Sequence, residues 1–166
     1  MRNPLIVILV LAALILYSFV RESARLAMCG ILGLEFTVSA RARGLLGIAA
    51  LIKHHGSANR DIAIAIASGP LGALIAGYLA LLLLRKRGEA LPAPARVFLC
   101  IFCYLALILD PIYYAVIPLA RLGGEPSALA SSSGLAMQAI QFVALGLLVI
   151  NTLLIRKYVM PILKSA

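Results

Sequence analysis

Tryptophan is absent from this 166-residue chain, and charged residues make up only 13% of it. Acidic residues are especially scarce, with six Asp and Glu against fifteen Lys and Arg. Hydrophobic residues make up 63% of the chain, and its mean hydropathy is +1.06. No long polar segment interrupts the apolar runs, so little of the chain can fold outside a bilayer. These scarcities exclude an ordinary soluble domain and indicate an integral membrane protein.

The excess of positive charge, +9 overall, would suggest a nucleic-acid partner in a soluble protein. Here the basic residues cluster at the ends of apolar runs. We therefore expect the lipid bilayer and its anionic headgroups, and no nucleic acid, to be their partner.

The chain has only three cysteines, and two of them, Cys100 and Cys103, form a C-x-x-C pair. Such a pair can bind a metal or cycle as a dithiol. These two lie inside an apolar run without His or polar neighbours. Small apolar core residues are the better interpretation.

Four apolar runs are long enough to cross a hydrocarbon core about 30 Å thick. They predict an all-α membrane domain that includes all of residues 1–166, with helices at about 4–30, 60–84, 96–119 and 135–155. The first run resembles a secretory signal. It continues to Val20 without a clean cleavage site, so we expect a retained transmembrane helix.

The segment between the first two helices has a different pattern. Phe36, Val38 and Ala40 alternate with polar residues, as is typical of a strand, and Arg43-Gly44 is a plausible turn. The sequence predicts a short β-hairpin-like segment here, although an interfacial helix fits its second half, up to Ile52, equally well.

Basic residues decide the expected orientation. Eight of them lie on the side of the termini and five on the other side, or seven if Arg21 and Arg25 are included. The positive-inside rule therefore predicts a multi-pass protein with both termini in the cytoplasm.

The second helix contains signals for close packing. Pro70 lacks an N–H and is expected to kink the helix. Gly69, Ala73 and Gly77 recur every four residues and form a smooth ridge that another helix can approach.

The run Arg21-Glu22-Ser23-Ala24-Arg25 ends a charge-free apolar segment. Each such charge costs about 2.5–3.5 kcal/mol at the centre of a membrane helix, and less near the interface. Arg21 and Arg25 are four residues apart and share one helical face. Either they extend to the headgroups, or they are buried and need an acidic partner.

A rise of 1.5 Å per residue places the unexpected polar residues of all four helices in the same half of the bilayer. We therefore predict a polar chamber on the side opposite the termini, with Asp110 within reach of Arg21 or Arg25. Its expected members are Arg21, Glu22, Arg25, Ser68, Asp110, Tyr113, Gln138 and Gln141.

These segments together resemble the site-2 protease family of intramembrane zinc proteases. Its first helix carries H-E-x-x-H, and Arg21-Glu22-Ser23-Ala24-Arg25 stands in that place with both histidines replaced. The family's A-G-P-L-x-N/S motif is similar to the run from Ala67 to Gly72, and its L-D-x-x-Y-Y motif to the run from Leu109 to Tyr114. Gly124-Glu125-Pro126 stands near the position of the third zinc ligand.

The resemblance implies a zinc protease fold, but arginine has no lone pair for a metal. We therefore expect no zinc, and the degenerate motif Arg21, Glu22 and Arg25 does not supply a catalytic residue. The two guanidinium groups would occupy the place of the dication and hold Glu22 and Asp110. The weak candidates for a rebuilt metal site are Glu125, His54 and His55; the histidines alone favour a solvated loop.

Four functions remain open at this point. The first is an inactive site-2-protease-like protein that binds or scaffolds another membrane protein. The second is a structural or assembly subunit of a larger membrane complex. The third is a metalloprotease with rebuilt ligands, and the fourth is a transporter that uses Arg21, Arg25 and Asp110 as a relay.

Overall fold

The protein is predominantly helical in the computed structural model, which describes residues 4–39, 49–52, 58–119 and 124–164. The helices are α1 (Pro4–Ile31), α2 (Asn59–Arg87), α3 (Ala93–Val116), α4 (Glu125–Ser133), α5 (Met137–Leu154) and α6 (Met160–Lys164). A π-helical turn, Ile155–Val159, joins α5 to α6. Among the described residues, four helical segments are long and apolar enough to cross a membrane: Pro4–Ile31, Asn59–Arg87, Ala93–Val116 and Met137–Leu163. This is compatible with the predicted multi-pass topology.

From its polar composition, the sequence predicts that the run from Ser131 to Ser133 belongs to the loop before the fourth membrane span. The run is helical instead, so that prediction was wrong. The hydroxyls of Ser131 and Ser132 donate to the Ala128 carbonyl at 3.0 and 2.7 Å, so they bond within the helix. Gly134, with φ 71°, then ends α4 in the left-handed conformation. Serine-rich sequence is typical of polar loops, but here two of the hydroxyls bond back to the preceding turn of the helix.

The predicted helix ends also shift. The third helix ends at Val116 rather than near residue 119. The fourth span continues beyond residue 155, because the π-helical turn and α6 carry it to Lys164.

Two short strands lie between α1 and α2. β1 (Phe36–Ser39) pairs antiparallel with β2 (Ala49–Ile52), and Phe36 lies opposite Ile52. The expected turn at Arg43-Gly44 lies outside the described residues, so the complete hairpin stays a prediction.

Small residues allow α2 to approach its neighbours closely. A Cβ added at Gly72 would overlap the Ala24 methyl of α1, and one added at Gly77 would lie 2.9 Å from Leu107 Cδ2 of α3. Gly69 and Ala73 are buried on the same helix. The contacts run antiparallel along α1 and α2, which places the last turns of α1 against the first turns of α2.

A buried polar bridge joins α2, α3 and α5. Pro111 has no N–H, so the Leu107 carbonyl four residues earlier lacks its helical donor. The Asn151 side-chain amide donates to that carbonyl at 2.7 Å, and Asn151 Oδ1 accepts from the Tyr78 hydroxyl at 2.6 Å. Asn151 is fully buried. This bridge holds the three helices in register at mid-depth.

Candidate functional site

Two arginines of α1 are turned into the protein, near the end of the bundle where α1 and α3 finish. The side chains of Arg21 and Arg25 are only 12% and 4% exposed. Gly69 of α2 leaves room for them, because a Cβ there would lie 3.1 Å from Arg25 Nη2 and 3.3 Å from the Arg21 carbonyl. The arginines therefore do not extend outward to the headgroups.

The guanidinium group of Arg21 joins three carboxylates. Its Nε donates to Asp110 Oδ1 at 2.9 Å, and its Nη1 donates to Glu22 Oε1 at 2.9 Å. Its Nη2 forms an ion pair with Glu125 Oε2. The expected contact between Arg21 and Asp110 is thus present, and a single planar group links α1, α3 and α4.

Arg25 makes the second set of ion pairs. Its Nη2 donates to Glu125 Oε1 at 2.7 Å, and its Nη1 lies 3.3 Å from Glu22 Oε2. We call Arg21, Glu22, Arg25, Asp110 and Glu125 the ion-pair cluster. Three of the six acidic residues of the chain belong to it.

Glu125 reaches the ion-pair cluster because of its two neighbours in sequence. Gly124 has φ 91°, a conformation that favours glycine, and a Cβ there would lie 2.8 Å from the Tyr113 hydroxyl. Pro126 is buried and starts α4. Burial alone would raise the pKa of Glu125, but Arg21 and Arg25 outweigh it and hold the pKa below its usual value.

Two tyrosines complete the surroundings and were not predicted as site residues. The Tyr114 hydroxyl donates to Glu125 Oε2 at 3.3 Å. Tyr17 lies one turn before Arg21 and is buried. The sequence could have identified Tyr17, because it is four residues from Arg21 and shares its helical face. It could not have identified Tyr114, because the contact with Glu125 depends on how α4 packs.

The other expected members of the polar chamber have different positions. The Ser68 hydroxyl donates to the Ala65 carbonyl at 2.7 Å and to the Ala24 carbonyl at 3.4 Å, so it joins α2 to α1. The side-chain amide of Gln141 donates to the Ala115 carbonyl at 3.3 Å. Gln138 is exposed, and Tyr113 packs edge-on against Tyr114. The charged residues predicted for the chamber, Arg21, Glu22, Arg25 and Asp110, therefore all belong to the ion-pair cluster.

The donor set of the ion-pair cluster does not fit the zinc ion that the resemblance implies. Arginine nitrogens have no lone pair for a metal, and the oxygens of Glu22 and Glu125 accept from guanidinium groups. Within the described ranges, no three or more His, Cys, Asp or Glu residues are grouped to hold a metal. His54 and His55 lie outside those ranges.

An apolar cavity of about 390 Å³ adjoins the ion-pair cluster. Side chains of α2, α3, α4 and α5 line it, among them Leu74, Leu129, Ile140 and Leu147. Asp110 and Tyr114 are at its inner wall. Leu71, Leu135 and Val143 line it too, and each is more than half exposed. The cavity therefore opens sideways, through the apolar surface of the bundle.

Comparison with models of known protein families, with curated proteins and with solved structures finds no match to this chain.

Proposed function

We propose that this protein is a catalytically inactive, site-2-protease-like membrane protein that binds a transmembrane segment of another membrane protein. The observation that carries the proposal is that Arg21 and Arg25, which stand where the family motif has its histidines, ion-pair with Glu22, Asp110 and Glu125. Positive charge supplied by the chain itself takes the place of a metal ion between acidic groups.

This arrangement does not support peptide hydrolysis by the mechanism of the family. Without a metal-bound water there is no nucleophile of lowered pKa. Glu22, which stands at the position of the general base, is held by both arginines. The likeness to the family rests on the order of the motifs along the chain and on the strand pair β1–β2 between α1 and α2.

The apolar cavity is the proposed binding place for the partner. Its volume is within the range typical of ligand pockets, about 300–1,000 Å³. Its lateral opening faces the region that lipid tails would occupy. Large apolar side chains of a neighbouring helix could fill it, while the small-residue surface of α2 allows the backbones to approach. A partner bound here would contact α4, α5 and Tyr114, and Tyr114 in turn donates a hydrogen bond to Glu125.

Photocrosslinking in native membranes tests this proposal. A photoreactive residue placed at Leu71, inside the cavity, is expected to form adducts with one defined transmembrane segment. Ile75 is the matched control, because it is one turn away on α2 and similarly exposed but does not line the cavity.

Ala139→Phe, which fills the cavity, is expected to remove the adducts at position 71 and to leave those at position 75 unchanged. Adducts with lipid alone at position 71, or the same adducts from both positions, would overturn the proposed binding place.

Elemental analysis tests the inactive state separately. We expect no stoichiometric zinc in the purified protein after washing with a chelator. A retained zinc ion in each chain would contradict the proposal and would direct attention to His54 and His55.

A role as an assembly subunit is the second candidate, and the exposure of α1 favours it. Only 11% of the apolar 18-residue stretch of α1 is buried, compared with 44% for that of α2 and 50% for that of α3. Leu5, Ile8 and Leu11 are among its exposed residues. Stoichiometric co-purification that is lost on Ile8→Ser, but not on filling the cavity, would favour this second role.

We also propose that both termini are cytoplasmic, on the basis of the distribution of basic residues. Labelling of single cysteines placed at positions 2 and 164 tests it. Labels on opposite sides of the membrane would contradict the four-span topology as well.

A further inference from the structure

A wide basic pocket lies at the other end of the bundle, where α2 and the fourth span end and α3 begins. Its volume is about 880 Å³. Five basic side chains line it: Arg85, Lys86, Arg87, Arg96 and Lys157. Its lining includes no acidic residue among the described side chains. We call this group the basic pocket.

The geometry of the basic pocket brings cations from three helical segments together. Two of them contact Tyr158, with Arg85 Cζ at 4.8 Å and Lys157 Nζ at 5.2 Å from the centre of its ring. Both Lys157 and Tyr158 belong to the π-helical turn, a feature that is frequent at functional sites. The Nε of Arg96 is buried and makes no hydrogen bond within the described part of the chain.

Convergent cations of this kind repel one another unless an anion lies between them. A phosphate group suits the place, because arginine offers forked donors and lysine a compact charge. Leu84, Pro161 and Ile162 give the same pocket an apolar wall. The pocket also lies at the ends of segments that are long enough to span the membrane, which is the depth of lipid headgroups.

We propose that the basic pocket binds an anionic phospholipid, with the phosphate among Arg85, Arg96 and Lys157 and an acyl chain along the apolar wall. This site is distinct from the ion-pair cluster and does not depend on the proposed transmembrane partner. It would fix the fourth span against α2 and α3 at one leaflet.

Native mass spectrometry of the full chain in mixed micelles tests the site. The wild type is expected to retain phosphatidylglycerol in preference to phosphatidylcholine. Lys157→Gln is expected to lower the affinity for phosphatidylglycerol about fivefold, which corresponds to about 1 kcal/mol for one basic residue near an anionic surface. Lys86→Gln provides a second variant if Lys157→Gln does not fold.

Arg156→Gln is the matched control, because Arg156 is adjacent, exposed and outside the pocket lining. It removes the same charge and is expected to change the affinity less than twofold. An equal loss from Arg156→Gln and Lys157→Gln would overturn the site in favour of diffuse attraction to the surface. Equal retention of the two lipids by the wild type would overturn it too.

Inorganic phosphate separates a lipid from a soluble ligand. We expect it to displace phosphatidylglycerol no better than chloride at the same ionic strength. Stronger displacement by phosphate would show that the pocket takes a free phosphate compound, which would contradict the lipid assignment.

Discussion

The two ends of this bundle use positive charge in opposite ways. In the ion-pair cluster, two arginines face three carboxylates, and their side chains are nearly buried. In the basic pocket, five cations meet around a wide opening with no described carboxylate in its lining. Buried charges survive when they are paired, so the cluster is part of the folded core. Basic side chains that converge at the membrane surface remain available to an external anion.

The Asn151 bridge, at the middle of the bundle, is buried like the ion-pair cluster but carries no charge. Asn151 satisfies a carbonyl that Pro111 leaves without a donor, and no formal charge is involved. It stabilises the fold because, without it, the Leu107 carbonyl and the Tyr78 hydroxyl would lose these hydrogen-bond partners. The three regions therefore predict three sizes of mutational effect.

Loss of Arg21 is expected to have the largest effect. Arg21→Leu removes the cation that contacts Glu22, Asp110 and Glu125 together, and breaking a buried pair typically costs about 3–5 kcal/mol. Thermal unfolding in detergent measures it. Arg60→Leu, at an exposed arginine in the first turn of α2, is the control and is expected to have little effect.

A double-mutant cycle sharpens this prediction. Asp110→Asn combined with Arg21→Leu is expected to be less destabilised than the sum of the single variants, because the two residues are in direct contact at 2.9 Å. Strict additivity would show that the two charges do not interact in the folded protein.

The Asn151 bridge should give the next largest effect. Asn151→Leu removes the donor to the Leu107 carbonyl and the acceptor for Tyr78, and each buried orphan costs about 1–3 kcal/mol. Adding Pro111→Ala supplies a backbone N–H for Leu107, so it is expected to recover part of the loss. Thr152→Val is the control, since the exposed Thr152 hydroxyl donates to the Leu148 carbonyl of its own helix. No rescue by Pro111→Ala would contradict the role assigned to Asn151.

Acidification should weaken the ion-pair cluster through Glu125. Its pKa in the folded protein lies below the usual value, and the carboxylate therefore stabilises the fold at neutral pH. This contribution is expected to be complete above the unfolded pKa of about 4.3 and to be lost as the pH falls through the lower folded pKa. Unfolding temperatures measured across this range, in the wild type and Glu125→Gln, test it. The dependence should be weaker in the variant.

Much of the ion-pair cluster could be predicted from the sequence. The four-residue spacing of Arg21 and Arg25 and the depth of Asp110 follow from helix geometry alone. From the sequence, Glu125 could be placed only near a motif position. Its contact with the two arginines depends on the short helix α4, whose serine-rich sequence is typical of a loop, and on the positive φ of Gly124.

The basic pocket was harder to predict for another reason. The sequence shows basic residues at helix ends, but only the packing of α2, α3 and the fourth span shows that Arg85, Arg96 and Lys157 surround one opening. The π-helical turn that carries Lys157 has no clear signal in its sequence. The role of Asn151 was equally hard to predict, since the carbonyl that it bonds belongs to another helix.

The smallest effect on stability is expected at the basic pocket. Lys157→Gln removes one of several like charges from an exposed position, so in neutral detergent it should change the free energy of unfolding by no more than about 0.5 kcal/mol. Adding phosphatidylglycerol should then raise the unfolding temperature of the wild type more than that of the variant, because a ligand stabilises the state that binds it. Arg21→Leu should show the opposite pattern, with a large loss in neutral detergent and an undiminished response to the lipid. If Lys157→Gln were strongly destabilising without lipid, its charge would be part of the folded core, and the distinction between the two ends of the bundle would fail.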